Sequence, residues 1–162
     1  MEHPGIPATA AVRFLRERSI AFVPHFYAYQ EHGGTGHAAR SLGVSEHEVV
    51  KTLVMETSER KPFIVLMHGD REVSTRQLAR DLGTKHVTPC DPDAAGRHSG
   101  YTVGGISPFG TRRAMPVFVE STVFGLARIY VNGGRRGFLV EIAPDDLRRS
   151  LDVREVSVAI PP

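Results

Sequence analysis

Apolar and polar positions along this chain follow two periods, and the switches between them mark its elements. After Thr9, the residues Ala11, Val12 and Leu15 recur at the spacing of one helix face, with Thr9 as N-cap, which predicts an amphipathic helix ending near Ser19. Ile20 to Tyr29 reads as extended. Thr35 to Leu42 has the form of a short helix stopped by Gly43, a favourable residue just past a helix end, and Ser45-Glu-His-Glu48 reads as a capping box opening another turn. Two β-branched and apolar runs, Val49 to Glu56 and Pro62 to His68, are separated by a charged turn and predict a hairpin that carries Lys51 in its first strand.

Ser74 to Leu82 followed by Gly83 is a second helix-like segment with a polar start and a glycine stop, and Asp91-Pro92 opens a third. Both are expected to pack on the sheet. From Gly100 to Gly110 the chain reads as a loop. Val117 to Val119, Arg128 to Val131 and Phe138 to Ile142 read as strands, the last two joined by the hairpin turn Asn132 to Gly137. Pro144 at a first helical position opens a final helix through Leu151, and Val153 to Ile160 reads as a closing strand. With no repeat, low-complexity tract or linker, the pattern predicts one α/β domain over residues 1–162 with substantial antiparallel pairing.

Composition narrows the class. Hydrophobic residues make up 41% and charged residues 23% of 162, the usage of an ordinary folded chain with a core of its own. No apolar run is long enough to cross a bilayer, and the first residues, MEHPGIPATAAV, lack the basic and apolar regions of an export signal. No membrane association is expected. Cys90 is the sole cysteine, so no disulfide within the chain and no paired-cysteine zinc site can form, and a reducing compartment, the cytoplasm, is expected. The net charge of +2 permits a polyanionic partner without requiring one. More informative are the arginine pairs Arg112-Arg113, Arg135-Arg136 and Arg148-Arg149, two of which adjoin glycine-rich loops where backbone can meet phosphate.

The loop Gly100-Tyr-Thr-Val-Gly-Gly-Ile-Ser-Pro-Phe-Gly110 resembles the signature loop of the YbaK family of Cys-tRNA(Pro) deacylases. The turn Ile129-Tyr-Val-Asn-Gly-Gly-Arg-Arg-Gly137 and the strand Val50-Lys-Thr-Leu-Val54 resemble that family's two other characteristic segments, in the same order and at similar spacing; with the N-terminal helix and His25-Phe-Tyr27, the resemblance spans nearly the whole chain. It implies a mixed, mainly antiparallel sheet curled towards a barrel with flanking helices, and a substrate crevice beside the lysine-bearing strand. It further implies hydrolysis of the ester joining a mischarged amino acid to the tRNA 3′ adenosine, with aminoacyl-tRNA as substrate, prolyl-tRNA synthetase as partner and no cofactor. Other branches of the superfamily remove alanine or serine, and the alternative outside catalysis is a module that binds tRNA or a synthetase and has lost the chemistry. The chain departs from the family at Asn132, where serine is usual, at Phe138-Leu139, where an acid often follows, and at Gly33-Gly-Thr-Gly36, which replaces a Phe-Gly.

On this resemblance Lys51 is the leading site residue, its ammonium holding a terminal phosphate or a developing oxyanion. By its residue type alone it would be a solvated lysine on a strand. Gly104, Gly105 and Ile106 are expected to present backbone N–H groups to a carbonyl oxygen, although glycine and proline content by itself describes only a tight turn. Tyr27, Thr52, Ser107, Pro108, Asn132 and Gly133 are the expected substrate-binding positions, and Arg112, Arg113, Arg135 and Arg136 the expected phosphate contacts. Ser107 has no nucleophile-elbow motif around it, so no triad is assigned. The eight histidines, at positions 3, 25, 32, 37, 47, 68, 86 and 98, follow no metal-binding pattern, and no metal is expected. His32-Gly-Gly-Thr-Gly-His37 has the flavour of an anion-binding loop but lacks a P-loop ending and reads more simply as a surface turn.

Overall fold

The structure is a computed structural model that describes residues 5–162. His3 and the first residues of the N-terminal segment lie outside the described residues. Helix α1 (Ala10–Glu17) starts at Thr9, whose hydroxyl accepts from the N–H of Val12, and buries Ala11, Val12 and Leu15. The chain enters β1 (Val23–Phe26), shorter than the extended run expected from the sequence because only four residues find a partner. Next come α2 (Gly34–Leu42), closed by Gly43 at φ 70°, a 3-10 turn at Glu46–Glu48, and the hairpin β2 (Val49–Thr57) and β3 (Pro62–His68). After the two-residue β4 (Glu72–Val73), α3 (Thr75–Leu82) is capped by Ser74 and ended by Gly83. Strand β5 (Val87–Pro89) and α4 (Pro92–Ser99), capped by Asp91, lead to the long loop at 100–116. The remainder is β6 (Val117–Glu120), a 3-10 turn at Ser121–Gly125, β7 (Ile129–Arg135), β8 (Phe138–Ile142), α5 (Asp145–Ser150), β9 (Val153–Val156) and β10 (Ala159–Ile160).

Seven strands lie side by side in the order β1-β8-β7-β2-β3-β6-β9, with β5 as an eighth on a second stretch of the β2 edge. The hairpins β2–β3 and β7–β8, and the pairs β1–β8 and β2–β5, are antiparallel; β2–β7, β3–β6 and β6–β9 are parallel. The sheet is therefore mixed, mainly antiparallel, and curled without closing. All seven residues of β3 are buried, which explains its unbroken apolar run: Ile64 and Leu66 face the main core under α1 and α5, while Phe63, Val65 and Met67 face Leu78 and Ala79 of α3. A smaller cluster seats Ala38 and Ala39 of α2 on Val49, Tyr130 and Leu139.

Several boundaries differ from the sequence reading. The closing strand is two: β9 extends the main sheet, whereas β10 pairs with β4 in a separate ribbon. The break has a cause in the buried Glu120, whose Oε1 accepts from the N–H groups of Val158 and Ala159 and so binds the backbone that a continuous strand would have offered to a neighbour. Pro144 is the N-cap rather than the first helical residue. Strand β5 and the 3-10 turn after β6 were not anticipated, since three residues ending in proline carry too little period to read.

Buried His68 ends β3. Its Nδ1 donates to the carbonyl of His47 at 2.8 Å, its Nε2 accepts from the Thr122 hydroxyl at 2.7 Å, and the His47 ring stacks on it at 3.7 Å. Burial holds its pKa below the ordinary value, opposed by the His47 carbonyl and by the carboxylates of Asp70 and Glu120, and assisted by His47. A lowered folded pKa means that the unfolded chain takes up the proton first. Stability should be full above the unfolded value of about 6.5 and be lost as pH falls below it towards the folded one, at about 1.4 kcal/mol for each tenfold suppression of protonation. Urea midpoints between pH 8 and pH 5 should fall more steeply for the native chain than for His68→Phe; equal slopes would exclude His68 as the cause.

Candidate active site

The edge of β2 that faces away from β3 is shared. β7 pairs with it at Val49 and Val50, and β5 at Met55, Glu56 and Thr57. Between these partners lies the stretch Lys51 to Val54, where the Val54 carbonyl accepts from Cys90. Adjacent strand residues point to opposite faces. Thr52 accordingly shares the face of the core residues Val50 and Val54, and Lys51 that of Val49 and Met55. Both nevertheless line one crevice of about 330 Å³, because it opens at the strand edge rather than on either face.

The crevice is walled by Tyr27, Tyr29 and Gln30 after β1, by Thr35, His37 and Ala38 of α2, by Val103, Gly104 and Ile106 of the loop, and by Asn132 and Leu139 of the β7–β8 hairpin. Lys51 is its only lysine or arginine among the described residues. The Lys51 Nζ lies 3.5 Å from Glu72 Oε1, but the Glu72 side chain is 83% exposed, so the pair is weak and leaves the ammonium available. Thr52 Oγ1 is buried without a hydrogen-bond partner among the described residues, at a cost of about 1–3 kcal/mol that a bound polar group would relieve. Burial raises the pKa of Tyr27, and neighbouring Tyr29 adds to the effect. Among the described residues no carboxylate or cysteine lines the crevice.

The loop at 100–110 is pinned at both ends. Tyr101 and Phe109 are buried in the core, the Tyr101 hydroxyl donates to the Phe109 carbonyl, and Phe109 packs against Phe14. Its tip is tied to the β7–β8 turn: Asn132 Nδ2 donates to the Gly104 carbonyl and Arg136 Nε to that of Val103. Asn132 Oδ1 meanwhile accepts from the N–H groups of Gly134 and Arg135. Asn132 thus organises the turn and docks the loop on it. Position 104 favours glycine because its φ is +93°, in the left-handed region; a Cβ there would also lie 2.7 Å from the Tyr29 hydroxyl, the tip of an exposed side chain that would have to shift.

The positions singled out from the sequence fall into two groups. Lys51, Thr52, Tyr27, Gly104, Ile106 and Asn132 line the crevice. Gly105, Ser107, Pro108 and Gly133 are buried behind it: Gly105 donates to the Thr102 carbonyl, Ser107 Oγ accepts from Phe109, and Gly133 accepts from the Thr9 hydroxyl while packing on Phe138. Arg135 and Arg136 are exposed at the crevice rim, Arg136 also lying 4.9 Å over the Tyr29 ring. Arg112 and Arg113 are exposed where their backbone meets the end of α4 at Ser99 and His98. Among the described residues no three His, Cys, Asp or Glu side chains converge. Sequence reading did not single out Tyr29, and it weighed Thr35 and His37 only within His32-Gly-Gly-Thr-Gly-His37, preferring a surface turn; the structure puts His32, Gly34, Thr35 and His37 in the crevice wall, a place that depends on how β1 and α2 fold back over β2.

Comparison with known proteins places this architecture first by shape and then by family. The solved structure of hypothetical protein APE2540 superposes with a TM-score of 0.85 at 22% identity over 93% of this chain and 99% of that one. That of "a putative trans-editing enzyme for prolyl tRNA synthetase" gives 0.81 at 18% identity over 96% and 100%. These likenesses show a common fold. Residues 34–150 match the aminoacyl-tRNA editing domain family, and the chain belongs to it. A relative in Enterococcus faecalis, "Putative Cys-tRNA(Pro)/Cys-tRNA(Cys) deacylase EbsC", is 28% identical over 138 residues, 85% of this chain and 84% of its own length. The proline–tRNA ligase of Moorella thermoacetica is 27% identical over 124 residues, 74% of this chain, which spans only 21% of that enzyme.

Proposed function

We propose that this protein is a deacylase that hydrolyses Cys-tRNA(Pro), acting beside prolyl-tRNA synthetase. The observation that carries the reading is the convergence of a fixed cation, Lys51, an unpartnered buried hydroxyl, Thr52, and the tip of the signature loop in one crevice at a strand edge. In this reading the crevice takes the aminoacyl end of the tRNA. The cysteine thiol of the substrate attacks its own ester carbonyl. A C–S bond forms, the bond from carbonyl carbon to ribose oxygen breaks, and the thiol proton passes to that oxygen, releasing tRNA and a thiolactone. Lys51 faces the oxyanion of the intermediate, Gly104 and Ile106 shape the loop around it, and Thr52, Tyr27 and Asn132 hold the substrate. The attached nucleophile has already given up its translational freedom, so positioning supplies much of the rate.

The exposed Arg135 and Arg136 at the rim, with Arg112 and Arg113 further out, suit RNA phosphates, which position the RNA without reading its sequence. The crevice meets the same cysteinyl group on tRNA(Pro) and tRNA(Cys). The free protein should therefore hydrolyse both with similar kcat/KM, less efficiently at high salt, and addition of prolyl-tRNA synthetase should favour the former by raising local concentration. The ratio of the two kcat/KM values with and without the synthetase checks this; strong discrimination by the protein alone would sink the partner-directed reading. A panel of mischarged tRNAs tests the amino acid itself. The apolar Leu139 and Gly34, the first residue of α2, both in the crevice wall, favour a second reading, removal of alanine or serine.

A further inference from the structure

His37 stands in the crevice wall with its orientation set from three sides. Its Nε2 lies 2.8 Å from the carbonyl oxygen of Ala28, and its ring meets the Tyr27 ring edge-on at 5.8 Å. Gly33 makes the room: a Cβ there would lie 2.8 Å from His37 Cβ and 3.1 Å from its ring. A carbonyl oxygen can only accept, so Nε2 carries the proton, and in the neutral ring Nδ1 is left with a lone pair. Nδ1 has no partner among the described residues.

The rest of the wall leaves this nitrogen without competitors. Among the described residues the crevice wall holds no carboxylate, and the Thr35 hydroxyl is committed to Glu46 Oε2 at 2.8 Å. His32 also lines the crevice but is exposed, sits at φ 60° and has no contact that orients it. Lys51 and the unpartnered Thr52 hydroxyl line the same cavity as His37. An oriented acceptor and a cation in one cavity are the two groups that attack of water on an ester requires.

We infer that His37 is a catalytic residue, the general base that activates water for hydrolysis of aminoacyl esters whose side chain has no thiol. Water gives its proton to His37 Nδ1 as its oxygen bonds to the carbonyl carbon, with Lys51 facing the oxyanion. The bond from that carbon to the ribose oxygen then breaks. The imidazolium returns the proton to the ribose oxygen, leaving free tRNA and an amino acid whose carboxyl loses its own proton to solvent. The substrate class thereby extends beyond cysteine to small thiol-free residues such as alanine and serine, which cannot attack their own ester. This rests on the deacylase reading and deepens it.

The test compares native protein, His37→Gln and His37→Ala on Ala-tRNA(Pro) and Cys-tRNA(Pro). Glutamine can still donate to the Ala28 carbonyl but offers no comparable base. Hydrolysis of the alanyl ester should fall about 10²-fold in both variants. That of the cysteinyl ester, which carries its own nucleophile, should change only a few-fold. Added imidazole should restore alanyl hydrolysis by His37→Ala. Unchanged alanyl turnover in His37→Gln, or equal losses on both substrates without imidazole rescue, would overturn the assignment, the latter showing a purely structural residue. Native protein that hydrolyses the cysteinyl but not the alanyl ester overturns it while leaving the deacylase reading standing; native protein that hydrolyses neither ester overturns both.

Discussion

Replacing Lys51 by alanine should lower kcat/KM for aminoacyl-tRNA hydrolysis by about 10²–10³-fold with little change in thermal stability, because in the proposed mechanism the charge acts on the substrate rather than in the fold. Among the described residues the ion pair with Glu72 is the lysine's only polar side-chain contact, and with the carboxylate almost fully in water it contributes little. In the crevice the same ammonium stands beside an apolar wall of Val49, Val50, Val103 and Leu139, where substrate would exclude water and strengthen its attraction for an oxyanion. Glu72→Ala should therefore stay active. Lys51→Arg should recover only part of the loss, since a planar guanidinium cannot place its charge where a compact ammonium does. Steady-state kinetics and melting curves on the three variants decide it: near-native turnover by folded Lys51→Ala removes this residue from the mechanism.

Gly105→Ala should be nearly as damaging, through position rather than charge. A Cβ on Gly105 would lie 2.8 Å from the backbone nitrogen of Arg136 and 2.9 Å from the carbonyl carbon of Arg135. Neither is the end of a flexible side chain, so the loop must lift from the β7–β8 turn, straining the hydrogen bonds from Asn132 and Arg136 to its carbonyls. Overpacking of this kind costs about 1–3 kcal/mol, and a displacement of about 1 Å at the reacting groups can cost 10²-fold in rate. The control is Gly125→Ala, where a Cβ would meet nothing within 4 Å. Loss of both activity and stability in Gly105→Ala, with Gly125→Ala near native, is the expected pattern. If Gly105→Ala matched Gly125→Ala in both measurements, the loop's seating on the turn would have no part in the site.

The helices were legible in the sequence because their signals are local. Thr9, Ser74 and Asp91 do accept from the N–H group three residues on, and Gly43 and Gly83 do take the left-handed conformation that ends their helices. The β2–β3 hairpin and the strands from Val117 to Ile142 were legible for the same reason, since alternation and turn residues lie within a few positions of each other. The site was legible only through short motifs whose resemblance singled them out. Nothing in the period of β2 distinguishes Lys51 from a solvated strand lysine.

What the linear order does not contain is the arrangement that makes a crevice. Two strands far apart in the chain, β5 and β7, stop short of each other on one edge of β2, and that gap lets residues from opposite faces, Lys51 and Thr52, share a cavity. The role of Asn132 in tying the Gly104 carbonyl, 28 residues distant, belongs to the same level. So does the orientation of His37, which depends on Ala28 and Tyr27 folding back across the start of α2. Local propensity and capping are settled by neighbours in sequence, and those the chain declares for itself. The meeting of edges, loop and helix terminus depends on long-range packing, and only the folded protein decides it.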